Sequence, residues 1–200
     1  RGFADALPEE GLFELIQANE TDVLSPPEWA CGVVYYQVFP ERFAVGNTGK
    51  RLRGYVPWDS RPDRYQYFGG DLNGIRAKLG YLRDIGAECL YLTPVFTADF
   101  NHKYATVDYF TVDPDFGGNG DLTALVEEAH AAGIRVLLDG VFNHTGVRFM
   151  PFADVMENGE SSPYCGWFYI KRFPVTEDAA CYECVGDYAS MPRLRTANPE

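Results

Sequence analysis

Residues 134–144 read Ile-Arg-Val-Leu-Leu-Asp-Gly-Val-Phe-Asn-His. The stretch begins as a strand and ends as a polar cluster. Val136, Leu137 and Leu138 form an apolar run just after Gly133, the pattern of a parallel strand covered on both faces. Asp139, Asn143 and His144 then bring a carboxylate, an amide and an imidazole to the strand's carboxyl end, where parallel α/β architectures bind ligands. The same residues suit a plain strand-ending turn, because Asp and Asn side chains bond backbone groups in such turns. The flanking sequence has to decide between the two.

Upstream, the pattern repeats. Residues 32–39 (Gly-Val-Val-Tyr-Tyr-Gln-Val-Phe) are β-branched and aromatic and stop at Pro40, which predicts a first strand. Cys89-Leu90-Tyr91-Leu92, closed by Thr93-Pro94, predicts a second. Between them Asn73 is placed to cap a helix that carries Ile75, Leu79, Leu82 and Ile85 on one face and ends at Gly86. A second helix carries Leu122, Leu125, Val126 and Ala129 at i, i+3, i+4 and i+7 and ends at Gly133. The order is β-loop-α-β-loop-α-β, with short turns into the strands and long polar loops out of them, at 46–68 and 97–120. Loops of that length are usually functional. The asymmetry points to a barrel or open sheet with its site at the strands' carboxyl ends. Past His144 the regularity breaks. Residues 146–200, rich in aromatics, Pro and Gly, read as an irregular insert with a short strand candidate at 167–170. Residues 1–28, with Ser25-Pro26-Pro27, read as the tail of a preceding domain and a linker.

Composition narrows the function classes. A formal net charge of −12 repels phosphate backbones and argues against a nucleic-acid partner. No run approaches the roughly 18 apolar residues of a membrane span. The five cysteines, at 31, 89, 165, 181 and 184, are too few and scattered for a disulfide framework. Cys181-Tyr-Glu-Cys184 is a C-x-x-C pair that with Cys165 would still need one more ligand for a zinc site, so free thiols in a reducing cytoplasm are expected, with a metal or redox role as the alternative. The chain opens Arg-Gly-Phe, without an initiator Met, and is expected to be a piece of a longer protein.

Three loops bring chemistry to one end of the predicted sheet. The first offers Arg42, Asn47 and the turn Gly69-Gly70-Asp71; the second His102, Tyr104, Asp108 and Tyr109; the third Asp139, Asn143 and His144. Rings that stack on apolar sugar faces, set among amides, imidazoles and carboxylates, suit a polyhydroxylated ligand. Gly117-Gly118-Asn119-Gly120 lacks the Gly-Lys-Ser/Thr ending of a phosphate loop and reads as a loop and helix start. On these residues alone, a sugar-acting barrel enzyme and a doubly wound small-molecule enzyme compete.

Asp139-Gly-Val-Phe-Asn143-His144 resembles a short motif shared across the α-amylase superfamily of glycoside hydrolases. His102-Lys-Tyr104-Ala-Thr-Val-Asp108-Tyr109 with Asp113-Pro114-Asp115-Phe116-Gly117 resembles the loop after that family's second barrel strand. Tyr36-Gln-Val-Phe-Pro40-Glu-Arg42-Phe43 and Phe68-Gly-Gly-Asp71-Leu72 resemble its first strand and the entry to its first helix. Met191-Pro192-Arg193-Leu194 resembles the Met-Pro-Lys-Leu motif of the neopullulanase, cyclomaltodextrinase and maltogenic amylase branch. These five anchors stand in the family's order between about Glu28 and Glu200, which argues against a chance match.

The resemblance implies an α/β fold: the first three βα units of a (β/α)8 TIM barrel over 29–145, with domain B inserted at 146–200. Residues 1–28 would end a preceding β domain through which such proteins often form homodimers. It implies retaining hydrolysis of α-1,4, and in some members α-1,6, glucosidic bonds of maltooligosaccharides, cyclodextrins, pullulan or starch. The family's catalytic carboxylates come from later strands, so none is expected among these residues, and this piece alone is expected to be inactive. A non-catalytic carbohydrate-binding relative is the alternative. By position, Tyr104 would stack on the sugar at the cleavage site with His102 beside it, and His144 would bond a hydroxyl. Asp139, with Asn143, would support the site, Asp139 by holding an arginine from the next strand. Members of the branch often bind calcium in the loop after the first strand. Asn47, Gly69 and Asp71 match that pattern, but Val45, Lys50 and Arg51 stand where other oxygen ligands would be. Calcium takes about 6–8 oxygens, so the site is expected to be lost, with Lys50 or Arg51, reinforced by Arg53, bridging to Asp71 instead. No other cofactor is implied.

Overall fold

The computed structural model describes residues 26–49, 56–57 and 60–199. The chain divides into two units, 1–33 and 34–200. In the first, the described residues hold a single 3-10 turn, Glu28–Ala30. Lys50, Arg51 and Arg53, and the segment before residue 26, lie outside the described residues.

In the second unit the chain runs β1 (Tyr35–Val38), α1 (Leu72–Ala77), α2 (Leu79–Asp84), β2 (Cys89–Leu92), β3 (Phe96–Ala98), β4 (Thr106–Val112), α3 (Asn119–Ala131), β5 (Arg135–Leu138), α4 (Met150–Asn158), β6 (Cys184–Val185) and β7 (Tyr188–Pro192). Strands β1, β2 and β5 form a parallel sheet in the order β1-β2-β5, with Tyr36 opposite Leu90 and Leu90 opposite Val136. The predicted helices cover it. Ile75, Leu79 and Leu82 from α1 and α2, and Leu125 and Ala129 from α3, pack on Val38, Leu90, Leu92 and Ile134.

The first predicted helix differs in two respects. Its cap is Asp71, whose side chain accepts from Gly74 N, and not Asn73. The helix also breaks at Lys78, whose N–H bonds the Ile75 carbonyl in a tighter i−3 turn, and Ile85 falls beyond the end of α2, exposed. The loop 97–120 is not all irregular: β3 and β4 pair as an antiparallel hairpin with register shifts. The polar run Asn101-His102-Lys103 at its tip breaks the alternation by which a hairpin is read. Gly70 explains the tight turn before α1, because a Cβ there would sit 2.0 Å from the Pro40 carbonyl oxygen.

Strand β5 departs from the doubly covered pattern. Leu137 and Leu138 are 42% and 37% exposed, because among the described residues only β2 pairs with this strand. After it, residues 146–199 build a separate small core of Phe152, Val155, Phe168, Val175, Cys181 and Tyr182. Helix α4, started by Pro151 in its first turn, supplies two of these side chains. The strand candidate at 167–170 is only a pair of isolated bridges, Phe168 to Leu194 and Ile170 to Tyr182. All five thiols are free. Among the described residues no helix is long and apolar enough to cross a membrane.

Candidate functional site

The carboxyl end of β5 places Asp139 beside β2, where its N–H donates to the Leu92 carbonyl. Its Oδ2 accepts two hydroxyls, from Tyr91 of β2 and from Tyr104 of the β3–β4 loop, each over 2.8 Å. Oδ1 makes no hydrogen bond among the described residues. Burial, then the bond to Asp139, pushes the Tyr104 hydroxyl far above the usual phenol range and keeps it a neutral donor.

His102 sits next to this pair. Its Nδ1 accepts from Tyr104 N over 3.0 Å, and its ring stacks on Phe100 at 5.2 Å and lies 5.7 Å from Tyr104. The strip Phe100–His102–Tyr104 is therefore continuous. Lys103, between the last two, adopts a left-handed φ of +61° and turns inward, where it bridges Asp113 at 2.7 Å and Asp115 at 3.6 Å. This buried pair was not read from the sequence as part of the site. It holds the loop in the shape that presents His102 and Tyr104.

Asn143 and His144 follow β5. The His144 Nδ1 and Asn143 Oδ1 are 2.9 Å apart, so Nδ1 carries the proton of that bond and Nε2 is the acceptor of the neutral ring. Nε2 is buried and has no hydrogen-bond partner. Burial lowers the pKa of His144, opposed by the nearby Tyr104 backbone. At His102 burial again comes first, followed by the charge of Lys103 and by His144. The backbone of this segment is clamped by the last motif: His144 bridges to Arg193, Thr145 N donates to the Pro192 carbonyl, and Leu194 N to the Asn143 carbonyl. Tyr109 closes the underside, its hydroxyl reaching the carbonyls of Val141 at 2.6 Å and His144 at 3.0 Å. Asp108 stays local and accepts from Phe110 N.

The loop after β1 tests the cation expectation. The Asp71 carboxylate accepts from the N–H groups of Gly46, Asn47 and Gly74 over 2.7–2.9 Å. Asn47 Oδ1 accepts from Gly49 N. The turn Gly69-Gly70 is held from the other side by Glu41, whose Oε1 accepts from the N–H groups of Phe68 and Gly69. The side-chain oxygens of Asn47 and Asp71 thus serve as acceptors for the loop's own amides, and among the described residues no three His, Cys, Asp or Glu side chains cluster as a metal cage. A cation held here would have to compete with these amides for the same oxygens. Arg42, read as a site residue, instead ties down the next loop by donating to the carbonyls of Asp63 and Gln66, with its guanidinium over Phe68.

Known proteins resemble this chain. A family model described as the alpha amylase catalytic domain matches residues 37–186. The intracellular maltogenic amylase of Bacillus subtilis (strain 168) is 47% identical over 189 residues, covering 94% of this chain and 32% of its own length. Neopullulanase 2 of Thermoactinomyces vulgaris is 42% identical over 203 residues, 100% of this chain and 35% of its own. A solved cyclomaltodextrinase structure superposes with a TM-score of 0.83 at 45% identity, over 90% of this chain and 32% of that one. The chain spans about a third of the length of the curated relatives it matches.

Proposed function

Because the chain belongs to the alpha-amylase catalytic-domain family, we propose that it is part of a retaining α-glucan hydrolase of the maltogenic amylase, cyclomaltodextrinase and neopullulanase type. The observation that carries the reading is the joint placement of His102, Tyr104 and Asp139 at the carboxyl end of a parallel β1-β2-β5 sheet. That is where a barrel enzyme keeps its site. In this reading β1, β2 and β5 are the first three strands of a (β/α)8 barrel. The half-exposed Leu137 and Leu138 of β5 are where the next strand packs. Residues 146–200 are domain B, 29–145 the barrel portion, and 1–28 the end of a β domain that supports homodimerisation.

The roles are those that the family resemblance implies. The Tyr104 ring lies along one face of the glucosyl unit at the cleavage site, with His102 beside it. His144 would bond a hydroxyl of the same unit through Nε2, which is buried here and has to be uncovered for that contact. Asp139 orients Tyr104 and, through Oδ1, keeps an acceptor for an arginine of the following strand; Asn143 fixes the His144 tautomer. The nucleophile and the general acid, roughly 5–5.5 Å apart in retaining glycosidases, lie outside these 200 residues, so the piece alone is inactive. No calcium is bound by Asn47, Gly69 and Asp71. A cytoplasmic location fits the free thiols and the relative named as intracellular.

The test is hydrolysis of starch, pullulan, cyclodextrin and maltooligosaccharides by the full-length protein, with the product anomer followed by NMR. Initial release of the α-anomer supports the reading. No release of reducing ends overturns it, and binding of maltooligosaccharides without hydrolysis assigns the protein to the non-catalytic alternative.

A further inference from the structure

Lys103 is 3% exposed, yet it stands between His102 and Tyr104, two residues of the candidate site. Among the described residues it is the one non-glycine with a left-handed φ. Glycine takes that conformation freely, whereas a residue with a Cβ is strained in it. Such strain persists where the surroundings over-determine it. Here they hold Lys103 at both ends. Its N–H donates to the Phe100 carbonyl, and Nζ donates to the Ala98 carbonyl while bridging Asp113 and Asp115. The ammonium also lies 5.4 Å from the Phe116 ring centroid. A cation so enclosed cannot meet a ligand. Whatever it does for the site, it does through its neighbours.

The neighbour most exposed to its influence is His102. Tyr104 N donates back to His102 Nδ1 and closes a ring over residues 102–104, with Lys103 at the centre. A ring nitrogen that accepts an N–H carries no proton of its own, so His102 is neutral with its proton on Nε2. His144 holds the opposite tautomer, protonated on Nδ1. Burial and then the charge of Lys103 oppose a second proton on His102, and His144 acts weakly in the same sense. The other ionisable groups near the ring are Tyr104, whose hydroxyl is bound to Asp139, and Arg64, Tyr65, Tyr67 and Tyr188, which border the cavity that His102 lines. We propose that Lys103 is a positioning residue for hydrolysis: its anchored ammonium fixes the turn that holds His102 Nδ1 on Tyr104 N, and so fixes which imidazole nitrogen keeps the proton. The proposal rests on the α-glucan reading above. It gives the buried ion pair a share in the chemistry at the cleavage site, beyond holding the loop together.

The test compares Lys103→Met with the wild type in the full-length protein, well below the unfolding midpoint of each. If that variant does not fold, Lys103→Met with Asp113→Asn, which leaves neither partner of the pair as an uncompensated charge, takes its place. The titration of His102 is followed by NMR with isotope-labelled histidine, its signal identified by its loss in His102→Gln. Kinetics on maltohexaose are measured in parallel. Loss of the ammonium should raise the His102 pKa by about half a unit or more, since both the nearby cation and the bond to the neutral ring are lost. It should also lower kcat about tenfold with KM within about twofold, because the turn serves the unit at the cleavage site. A lysine that only stabilised the fold would move neither. An unchanged His102 titration overturns the proposal and leaves the hydrolase reading intact, and so does a raised pKa with wild-type kcat. If the wild type hydrolyses no α-glucan, the hydrolase reading fails and the titration decides alone. A raised pKa then supports the positioning of His102 by Lys103, and an unchanged one overturns it.

Discussion

The Tyr104 hydroxyl donates to Asp139 Oδ2 over 2.8 Å, tying a ring carried by the loop after β2 to the end of β5. Tyr91 donates to the same oxygen from within β2, so Asp139 joins two strands and one loop at a single atom. The ring of Tyr104 is thus positioned by the Asp139 carboxylate. Tyr104→Ala in the full-length protein should lower kcat/KM on maltooligosaccharides at least tenfold, about 1.4 kcal/mol of transition-state stabilisation. His144→Ala should do likewise. Tyr104→Phe keeps the ring but frees it and should fall between, whereas Tyr91→Phe should cost little because Tyr104 still holds Asp139. Wild-type kinetics in both Tyr104→Ala and His144→Ala would remove these residues from the site.

The two imidazoles predict an acid limb of stability. Burial, the first cause at both, lowers the pKa of His102 and His144 from 6.5. Above 6.5 both rings are neutral whether the chain is folded or not, and their contribution to stability is complete. As the pH falls from 6.5 towards the lower folded values, the unfolded chain takes up protons that the fold refuses, and stability drops. His144→Gln, which cannot titrate, should therefore show a shallower loss of denaturation midpoint than wild type between pH 6.5 and about 5. An equal or steeper slope would contradict the lowered pKa.

The sheet was legible because its signals are local: β-branched and aromatic runs, each closed by Pro or Asp, separated by helices of regular apolar period. Helix α3 follows its pattern, with Leu125 and Ala129 fully buried. What escaped was set by partners distant in sequence. Tyr91 reads as strand core, yet its hydroxyl serves Asp139, 48 residues away. Arg42 reads as a ligand group, yet its guanidinium donates to the carbonyls of Asp63 and Gln66 in the following loop. Lys103 carries no signal of burial in the sequence. Only the left-handed turn at that residue, invisible in a sequence without glycine there, sends its chain into the interior.

That buried lysine is a stability hinge for the site. Lys103 Nζ lies 2.7 Å from Asp113, which also accepts from the N–H groups of Ala98 and Asp115. Removing one member of such a pair leaves a buried charge uncompensated, at a cost of about 3–5 kcal/mol. Lys103→Ala should lower stability by that order in urea unfolding, and Lys103→Ala with Asp113→Ala should cost less than the sum of the single changes. Additive losses would mean that the two side chains act independently.

The loop after β1 gives a metal prediction with a definite sign. Asp71 serves as the N-cap of α1, and among its partners are the backbone N–H groups of Gly46, Asn47 and Gly74. A calcium ion would have to compete for those lone pairs, and the neighbouring Asn47 Oδ1 already accepts from Gly49. Calcium also needs about 6–8 oxygens. Since a ligand bound only by the folded state raises Tm with its concentration, calorimetry in EDTA and in millimolar calcium should give the same Tm. A rise with calcium, abolished by Asp71→Asn, would show that the loop rearranges into a cation site. Asp71→Ala, by contrast, should destabilise with or without the ion by about 1–2 kcal/mol, the usual cost of losing a helix cap. A capping role therefore predicts the same deficit in both media, and a ligand role predicts one that appears only with calcium.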